Sequence, residues 1–534
     1  TAIIQSSSAT TVMVVGFVNS GIMTLKQAIH VIMGANVGTT VTAWILSLAG
    51  IEGDNFFINL LKPSSFTPII ALIGIIFYMF IKNEKKKDIG LIMLGFATLI
   101  YGMESMSAAV KPLGQIEEFR NILLMFSNPI LGVLLGAIVT GIIQSSSASV
   151  GILQALSATG QVTVGTTIPI IMGQNIGTTV TALISSVGTN KNARRAAIVH
   201  LYFNLIGTIV FLAIYAGLRM FFELSILNQT ANHLSIAIFH TIFNIVCTAI
   251  LLPFSGQLEK LAYKTIKEGD VQDKHLLLDT RLFSTPAIAI SQSRTIAKEM
   301  AGISLNAIRK ALALVCNYDD KKAEEIKDME EQTDIFEDSL GTYLVQLSSH
   351  NLSVSDNTEA ALLLYLIGEF ERITDYTMDI VSSAREMDEK KLCFSEYAME
   401  ELRVMMSAVE EIVEIAIASF RDNNISMAAK VDPLEEVIDS LKSEIKKRHI
   451  TRLQRNECTI ELGFVFSDLL TVLERISDHC SNIAGAIIEL SHDRMDMHSY
   501  LYKVKHESDS EFMRQFKKYS KQYSIEEYST GKQS

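Results

Sequence analysis

Charge is scarce in the first half of this chain. Residues 1–253 hold only 12 Lys and Arg against 8 Asp and Glu, a net of +4. The full 534 residues sum to −12, which leaves −16 for the remainder. The first half therefore reads as an apolar membrane body and the second as an acidic, soluble, helix-rich body. Cysteine is sparse too. The five, Cys247, Cys316, Cys393, Cys458 and Cys480, form no close pairs and their number is odd. That excludes a disulfide framework and a zinc knuckle, and the four beyond Phe254 fit a reducing cytosol. Neither a Ser/His/Asp set, a P-loop lysine motif nor a Gly-x-Gly-x-x-Gly is found, so no enzyme constellation is present. No signal peptide is visible. The single Trp, Trp44, reads as a packing or interfacial anchor.

What the chain does have is a duplicated pair of polar motifs in apolar surroundings. Gln5-Ser6-Ser7-Ser8 recurs as Gln144-Ser145-Ser146-Ser147. Gly34-Ala-Asn-Val-Gly-Thr-Thr-Val-Thr-Ala43 recurs as Gly173-Gln-Asn-Ile-Gly-Thr-Thr-Val-Thr-Ala182. Both pairs are offset by 139 positions, so one unit was copied with its spacing kept. Hydroxyls and amides are costly in hydrocarbon unless satisfied. Paired polar breaks in a membrane protein point to a transport site. A lone serine run is common at helix packing faces; the matched copies favour a site.

Apolar runs predict spanning helices over Phe66–Ile81, Ile89–Val110, Ala196–Leu218 and Leu234–Phe254, with a shorter run Pro129–Ile143 ending at the second motif. Runs that stop at polar clusters suggest broken or re-entrant helices. The second copy is preceded by two apolar spans and the first by none, so about two further helices are expected ahead of Thr1. The basic clusters Lys82–Lys87 and Lys191–Arg195 are placed in the cytoplasm. Then Phe66–Ile81 runs inward, Ala196–Leu218 runs outward, and everything beyond Phe254 is cytoplasmic. The two copies so oriented form an inverted-topology repeat with its site near the midplane. A restarting helix exposes backbone N–H groups that suit an anion, with Ser hydroxyls adding donors. An unwound Gly-x-Asn-x-Gly-Thr-Thr segment would offer carbonyl, amide and hydroxyl oxygens to a small hard cation. His30, His200 and His240 read as hydrogen-bonded or interfacial rather than as a proton relay, and Glu104 as snorkelling.

These motifs resemble the sodium/phosphate cotransporter family (type II) over about residues 1–253. The resemblance implies a plasma-membrane (inner-membrane) symporter that couples Na⁺ to inorganic phosphate. It also implies that Gln5, Ser6, Ser7, Ser8, Gln144, Ser145, Ser146 and Ser147 line the phosphate and sodium sites, completed by Asn36, Thr39, Thr40, Asn175, Thr178 and Thr179. A membrane-bound phosphate sensor and a symporter of another oxyanion are the alternatives.

Residues 254–286 read as a linker, with Gly256–Asp279 a polar connector. Six helical segments follow, Ala287–Cys316, Asp319–Ser349, Thr358–Arg385, Ser395–Phe420, Ser426–His449 and Glu457–Leu490. Asp432-Pro433 marks a late start or kink in the fifth. Glu330-x-x-x-Asp334 matches Glu435-x-x-x-Asp439, and Glu371-Arg-Ile-Thr-Asp375 matches Glu474-Arg-Ile-Ser-Asp478. The second half is thus also duplicated, as two three-helix bundles. Carboxylates four apart share a helix face and repel. Two such pairs on adjacent helices suit Mg²⁺, Mn²⁺ or Fe, although solvated faces, or neutralisation by Arg372 and Arg475, would explain each pair alone. This half resembles a PhoU-like domain over residues 287–491. The resemblance implies metal ligands Glu330, Asp334, Glu371, Asp375, Glu435, Asp439, Glu474 and Asp478. His479 stands where the first bundle has Tyr376, so the two metal sites need not be equal. The charged tail 492–534 contains a short helical run near Phe512–Tyr523. The fold class expected is all-α, a polytopic membrane body followed by a cytoplasmic pair of bundles. The lipid bilayer and phosphate are the expected partners, a second copy and a phosphate-signalling protein are candidates, and nucleic acid is not expected.

Overall fold

The computed structural model describes residues 1–50, 63–126, 128–221, 224–267, 278–455, 457–491 and 511–525. The chain divides into two units, Thr1–Asp273 and Lys274–Ser534. Among the described residues every regular element is helical, and the one β contact is an isolated bridge between Thr163 and Thr230.

The first unit contains α1 (Ser7–Asn19), α2 (Leu25–Ser47), α3 (Pro63–Phe80), α4 (Glu84–Val110), α5 (Glu117–Met125), α6 (Pro129–Ile143), α7 (Ser146–Ser157), α8 (Val164–Gly177), α9 (Thr179–Ser185), α10 (Lys191–Phe221), α11 (His233–Leu251) and α12 (Ser255–Thr265). Leu25–Gly50, Lys85–Gln115, Val164–Ser185, Lys191–Phe221 and His233–Thr265 are long and apolar enough to cross a bilayer. The ends are capped where the sequence supplies an oxygen. Thr24 with Gln27 and Asn232 with Ser235 close capping boxes on α2 and α11, and Asn128 caps α6 ahead of Pro129. Each cap satisfies N–H groups that the helix itself leaves unbonded.

The copied unit recurs in three dimensions. α1 corresponds to α7, and α2 to α8 with α9. Four of the expected spans coincide in their bulk with α3, α4, α10 and α11, and Pro129–Ile143 is α6. Two expectations are corrected. The Gly-x-Asn-x-Gly-Thr-Thr segments are helical rather than unwound. α2 runs through its copy without interruption, and α8 and α9 are separated only by Thr178, whose backbone stays helical. The glycines there serve packing. A Cβ on Gly173 would lie 2.0 Å from the Val133 carbonyl oxygen, and one on Gly136 2.2 Å from that of Ile170. Small residues four apart thus let α6 and α8 touch backbone to backbone. Gly177 meets the Thr140 side chain in the same way that Gly38 meets Thr1, the positions 139 earlier. The second correction concerns the linker. Ser255–Thr265 is helix α12, with Leu258 and Ala262 buried in the first unit's core. Arg195 donates from Nε and Nη2 to the Ile266 carbonyl at 3.0 and 2.8 Å, and its guanidinium lies 4.0 Å over the Tyr263 ring. The rest of the expected connector, residues 268–277, lies outside the described residues.

Pro169 lies inside α8. It cannot donate to the Gly165 carbonyl one turn back. The Tyr215 hydroxyl of α10 donates to that carbonyl instead, at 3.1 Å, so the group is not left bare in an apolar setting.

In the second unit α13 (Pro286–Cys316), α14 (Asp320–Ser348) and α15 (Val354–Glu389) pack on one another. α16 (Glu396–Arg421), the single turn α17 (Ile425–Ala428), α18 (Val431–Gln454) and α19 (Ile460–Ser491) form the second set, and α20 (Glu511–Gln522) packs on α18. α15 and α19 face each other across the two bundles. Fully buried Phe370 of α15 and Phe420 of α16 also meet across the bundles, with ring centroids 5.2 Å apart. The tail residues 492–510 and 526–534 lie outside the described residues.

Because a Cβ at Gly173 has no room, Gly173→Ala should lower thermal stability of the purified chain by roughly 1–3 kcal/mol or more. Gly95→Ala, where nothing lies within 4 Å, should be neutral or stabilising. Thermal unfolding in detergent compares the two, and equal midpoints would discard the close-approach account.

Candidate functional site

The second Gln-Ser-Ser-Ser segment is a joint between two helices, and the first opens α1 after a turn over residues 2–5. α6 ends at Ile143, and Gln144 turns the chain in the left-handed region (φ 57°), its N–H donating to the Thr140 carbonyl at 2.7 Å. Ser145 is extended (φ −139°) and accepts from Ala148 N–H at 3.2 Å, starting α7. The first copy repeats this closely. Gln5 has φ 58° and donates to Thr1 at 2.7 Å, and Ser6 (φ −145°) accepts from Ala9 N–H at 3.1 Å. A glutamine at positive φ is strained by about 1–2 kcal/mol. Two copies held in the same strained turn indicate a constraint on the joint itself.

The two segments meet. Ser7 Oγ lies 3.1 Å from Ser146 Oγ, both side chains buried. Ser8 Oγ donates to the Gln144 carbonyl at 3.3 Å. Ser7 and Ser146 are equivalent positions of the two copies, so the copies meet through the same residue of each. There the first turns of α1 and α7 come together. The first N–H groups of a helix have no partner within it, so two sets of donors and two positive dipole ends converge on one spot.

The second motif surrounds the first. α1 packs on α2 and α9, and α7 packs on α2 and α8. Asn36 Nδ2 donates to Asn204 Oδ1 at 3.2 Å, and Asn175 Nδ2 to the Ile171 carbonyl at 2.9 Å. Thr39, Thr40, Thr178 and Thr179 donate to carbonyls of their own turns at 2.7–3.0 Å. Their hydroxyl oxygens keep lone pairs for a cation.

Three functional candidates escaped the sequence reading. Thr42 Oγ1 donates to Gln5 Oε1 at 2.8 Å, locking the first glutamine to α2. Its equivalent, Thr181, is a buried hydroxyl without a partner among the described residues, and Gln144 is exposed. Gln174 donates to the Ser149 carbonyl at 2.9 Å while its Oε1 is buried and unpaired among the described residues. The signal for both threonines was present, since each motif ends Thr-Val-Thr-Ala. Gln174 was legible only as a difference from Ala35 in the other copy. His200 and His240 are buried, and the Nδ1 of each lacks a partner among the described residues. Trp44 is half-exposed and donates to Thr241 Oγ1 at 3.0 Å.

In the second unit, carboxylate oxygens of Glu435, Asp439 and Asp478 lie within 4.8 Å of one another. Burial, then the charges of Glu474 and Asp439, raise the Asp478 carboxyl above its ordinary value. In the first bundle burial and the neighbouring Asp334 and Asp375 raise Glu330. Burial, Asp375, Asp334 and Glu337 raise Glu371. The two quartets are unequal. Lys442 Nζ sits 2.7 Å from Glu474 Oε1 and supplies a fixed cation. Its counterpart in the first bundle, taken from the Glu330/Glu435 spacing, is Glu337. His479 differs from Tyr376 for a structural purpose. Its Nδ1 lies 2.8 Å from Glu369 Oε2, which also accepts from Asn482 at 3.0 Å.

Raised carboxyls bind more protons folded than unfolded, so their contribution to stability is present at low pH and is lost as pH rises through the folded pKa. With chelator present, the second unit should unfold more readily as pH climbs above about 4.5. Mn²⁺ should remove that trend, because it replaces the protons. Thermal midpoints between pH 4.5 and 7.5, with EDTA and with Mn²⁺, test this; a flat EDTA series would contradict it.

Comparison with known proteins gives the following. The Na⁺/Pi-cotransporter family model matches residues 1–108 and 99–238, and the PhoU domain model matches residues 297–384 and 402–487. The chain is 24% identical over 501 residues to YjbB of Salmonella typhimurium, a protein whose name assigns it to inorganic phosphate export, covering 92% of this chain and 88% of that one. It is 35% identical over 133 residues to the human sodium-dependent phosphate transport protein 2B, covering 23% of this chain and 19% of that one. Among solved structures it is similar to PhoU from Pseudomonas aeruginosa, with 20% identity and TM-score 0.37, over 39% of this chain and 98% of that one.

Proposed function

We propose that this chain, whose first 238 residues belong to the Na⁺/Pi-cotransporter family and whose second unit carries a duplicated PhoU domain, moves inorganic phosphate across the plasma (inner) membrane coupled to Na⁺. The Ser7–Ser146 contact carries this reading. Phosphate oxygens accept from the first N–H groups of α1 and α7 and from the hydroxyls of Ser6, Ser7, Ser8, Ser145, Ser146 and Ser147. Gln5, Gln144, Asn36, Asn175, Thr39, Thr40, Thr178 and Thr179 hold Na⁺ through side-chain oxygens. This differs from the carbonyl site expected from unwound backbone, because the helical carbonyls are already bonded. Na⁺ offsets part of the anion's charge and makes loading favourable in a site of low dielectric. A site shared by equivalent residues of the two copies favours neither direction by its chemistry, so the gradients set it. Both the export name of YjbB and the sodium-dependent name of protein 2B fit such a site.

Lys85, Lys86 and Lys87 occupy the first turn of α4, where the dipole disfavours cations. A bias toward the cytoplasmic side of the bilayer accounts for them, and supports a cytoplasmic second unit. There the carboxylates of Glu330, Asp334, Glu371 and Asp375, and of Glu435, Asp439 and Asp478, hold Mg²⁺, Mn²⁺ or Fe, which neutralises their repulsion. Lys442 leaves Glu474 less available, whereas Glu435, Asp439 and Asp478 are the carboxylates that come within 4.8 Å of one another among the described residues.

Phosphate flux in proteoliposomes tests the transport reading with Na⁺ gradients imposed in either direction. Flux should follow the Na⁺ gradient, and Ser7→Ala and Ser146→Ala should each reduce it about tenfold or more. Flux indifferent to Na⁺, or unchanged in both variants, would reject it. Elemental analysis tests the clusters. Asp375→Ala and Asp478→Ala should each lose metal, and parental content in the double variant would reject both sites.

A further inference from the structure

Helix α20 lies beyond both family matches and takes no part in the sites above. Phe512 and Tyr519, with Tyr523 just past its end, are buried. Tyr523 Oη donates to Glu411 Oε2, and Gln522 Nε2 does so at 2.8 Å, pinning the helix to α16 as well as α18. With its apolar face turned inward, α20 leaves Arg514, Lys517, Lys518 and Lys521 exposed. Steps of three, one and three residues set these four cations in one stripe over two turns. Among the described residues little answers them. Arg514 pairs with Glu511 in its own turn at 2.5 Å, and Lys518 Nζ lies 5.4 Å from its neighbour's Tyr519 ring. Lys517 and Lys521 have no ion pair among the described residues.

An outward row of four cations on a half-chain of net charge −16 is a local reversal of sign. An acidic body is repelled by an anionic surface except where such a row faces it. The chain carries five bilayer-length helices, so its second unit always works near a bilayer. We propose that the α20 stripe docks the second unit on anionic lipid by contacts to headgroup phosphates. The contact is electrostatic and non-inserting, because the aromatic side chains that could enter the bilayer are occupied against α16 and α18. It is independent of whether the first unit uses Na⁺.

The full-length protein in nanodiscs of phosphatidylcholine, alone or mixed with photoactivatable phosphatidylglycerol, tests this, with adducts mapped by mass spectrometry. Phosphatidylglycerol adducts should appear within residues 511–523. They should fall at least about fivefold for each charge removed in K517Q, K517Q/K521Q and K517Q/K518Q/K521Q, and weaken in raised salt. Adducts absent from α20, equal in the triple variant, or equal with photoactivatable phosphatidylcholine would overturn the proposal. So would their loss to inorganic phosphate at matched ionic strength, which would make a free anion the ligand.

Discussion

The first unit depends on one constraint: two helices begin inside an apolar body, and their first turns must be satisfied there. Ser6 and Ser145 cap one N–H each. The first turns of α1 and α7 come together where the Ser7 and Ser146 hydroxyls meet at 3.1 Å. Hydrocarbon cannot satisfy such donors, whereas a hydrated or anion-filled site can. The strained glutamines are the means of reaching this geometry. A left-handed glutamine redirects the chain, at Gln144 ending α6, and the extended serine after it starts the next helix. The helices bearing the second motif then enclose the joint from both sides.

The second unit meets the opposite problem, too many acids on facing helices. Its two bundles solve it differently. In the second, Lys442 supplies a positive charge from within the protein. In the first, Glu337 occupies the matching place and worsens the repulsion around Glu371. One copy is thus partly self-neutralised by an ion pair, while in the other Arg372 and Lys327 offset the repulsion only in part and Glu371 and Glu330 stay raised. A duplicated fold need not keep two equal sites, and here the inequality rests on one side chain.

Much of this was legible in the sequence, unevenly. The 139-residue offset exposed the repeat before any coordinate, and contacts such as Thr1–Thr10 and Thr140–Ser149 repeat it atom by atom. The helices of the second unit were read to within about five residues. The fifth is furthest off because it starts late, at Val431 beside Asp432-Pro433, after the separate turn Ile425–Ala428; the rest follow from apolar positions that recur at helical spacing. The Gly-x-Asn-x-Gly-Thr-Thr segments were misread. Glycine in water argues for a break, whereas between membrane helices it argues for contact, and only the partner backbone tells which applies. Helix α12 was missed because its composition is that of a surface segment; its buried Leu258 and Ala262 are two residues among eleven. The lock between Thr42 and Gln5 joins positions 37 apart and has no periodic signature.

The glycine seam between α6 and α8 has a mechanical consequence. Backbones that touch without intervening side chains have no layer of rotamers in which to slide. Pushing Gln144 therefore moves α6 and α8 as a single stiff plank. Give must come from neighbouring interfaces padded by larger residues, such as the one where α10 leans on α11 through Phe211 and Phe243. The hinge of this body should be sought at its aromatic contacts rather than among its glycines.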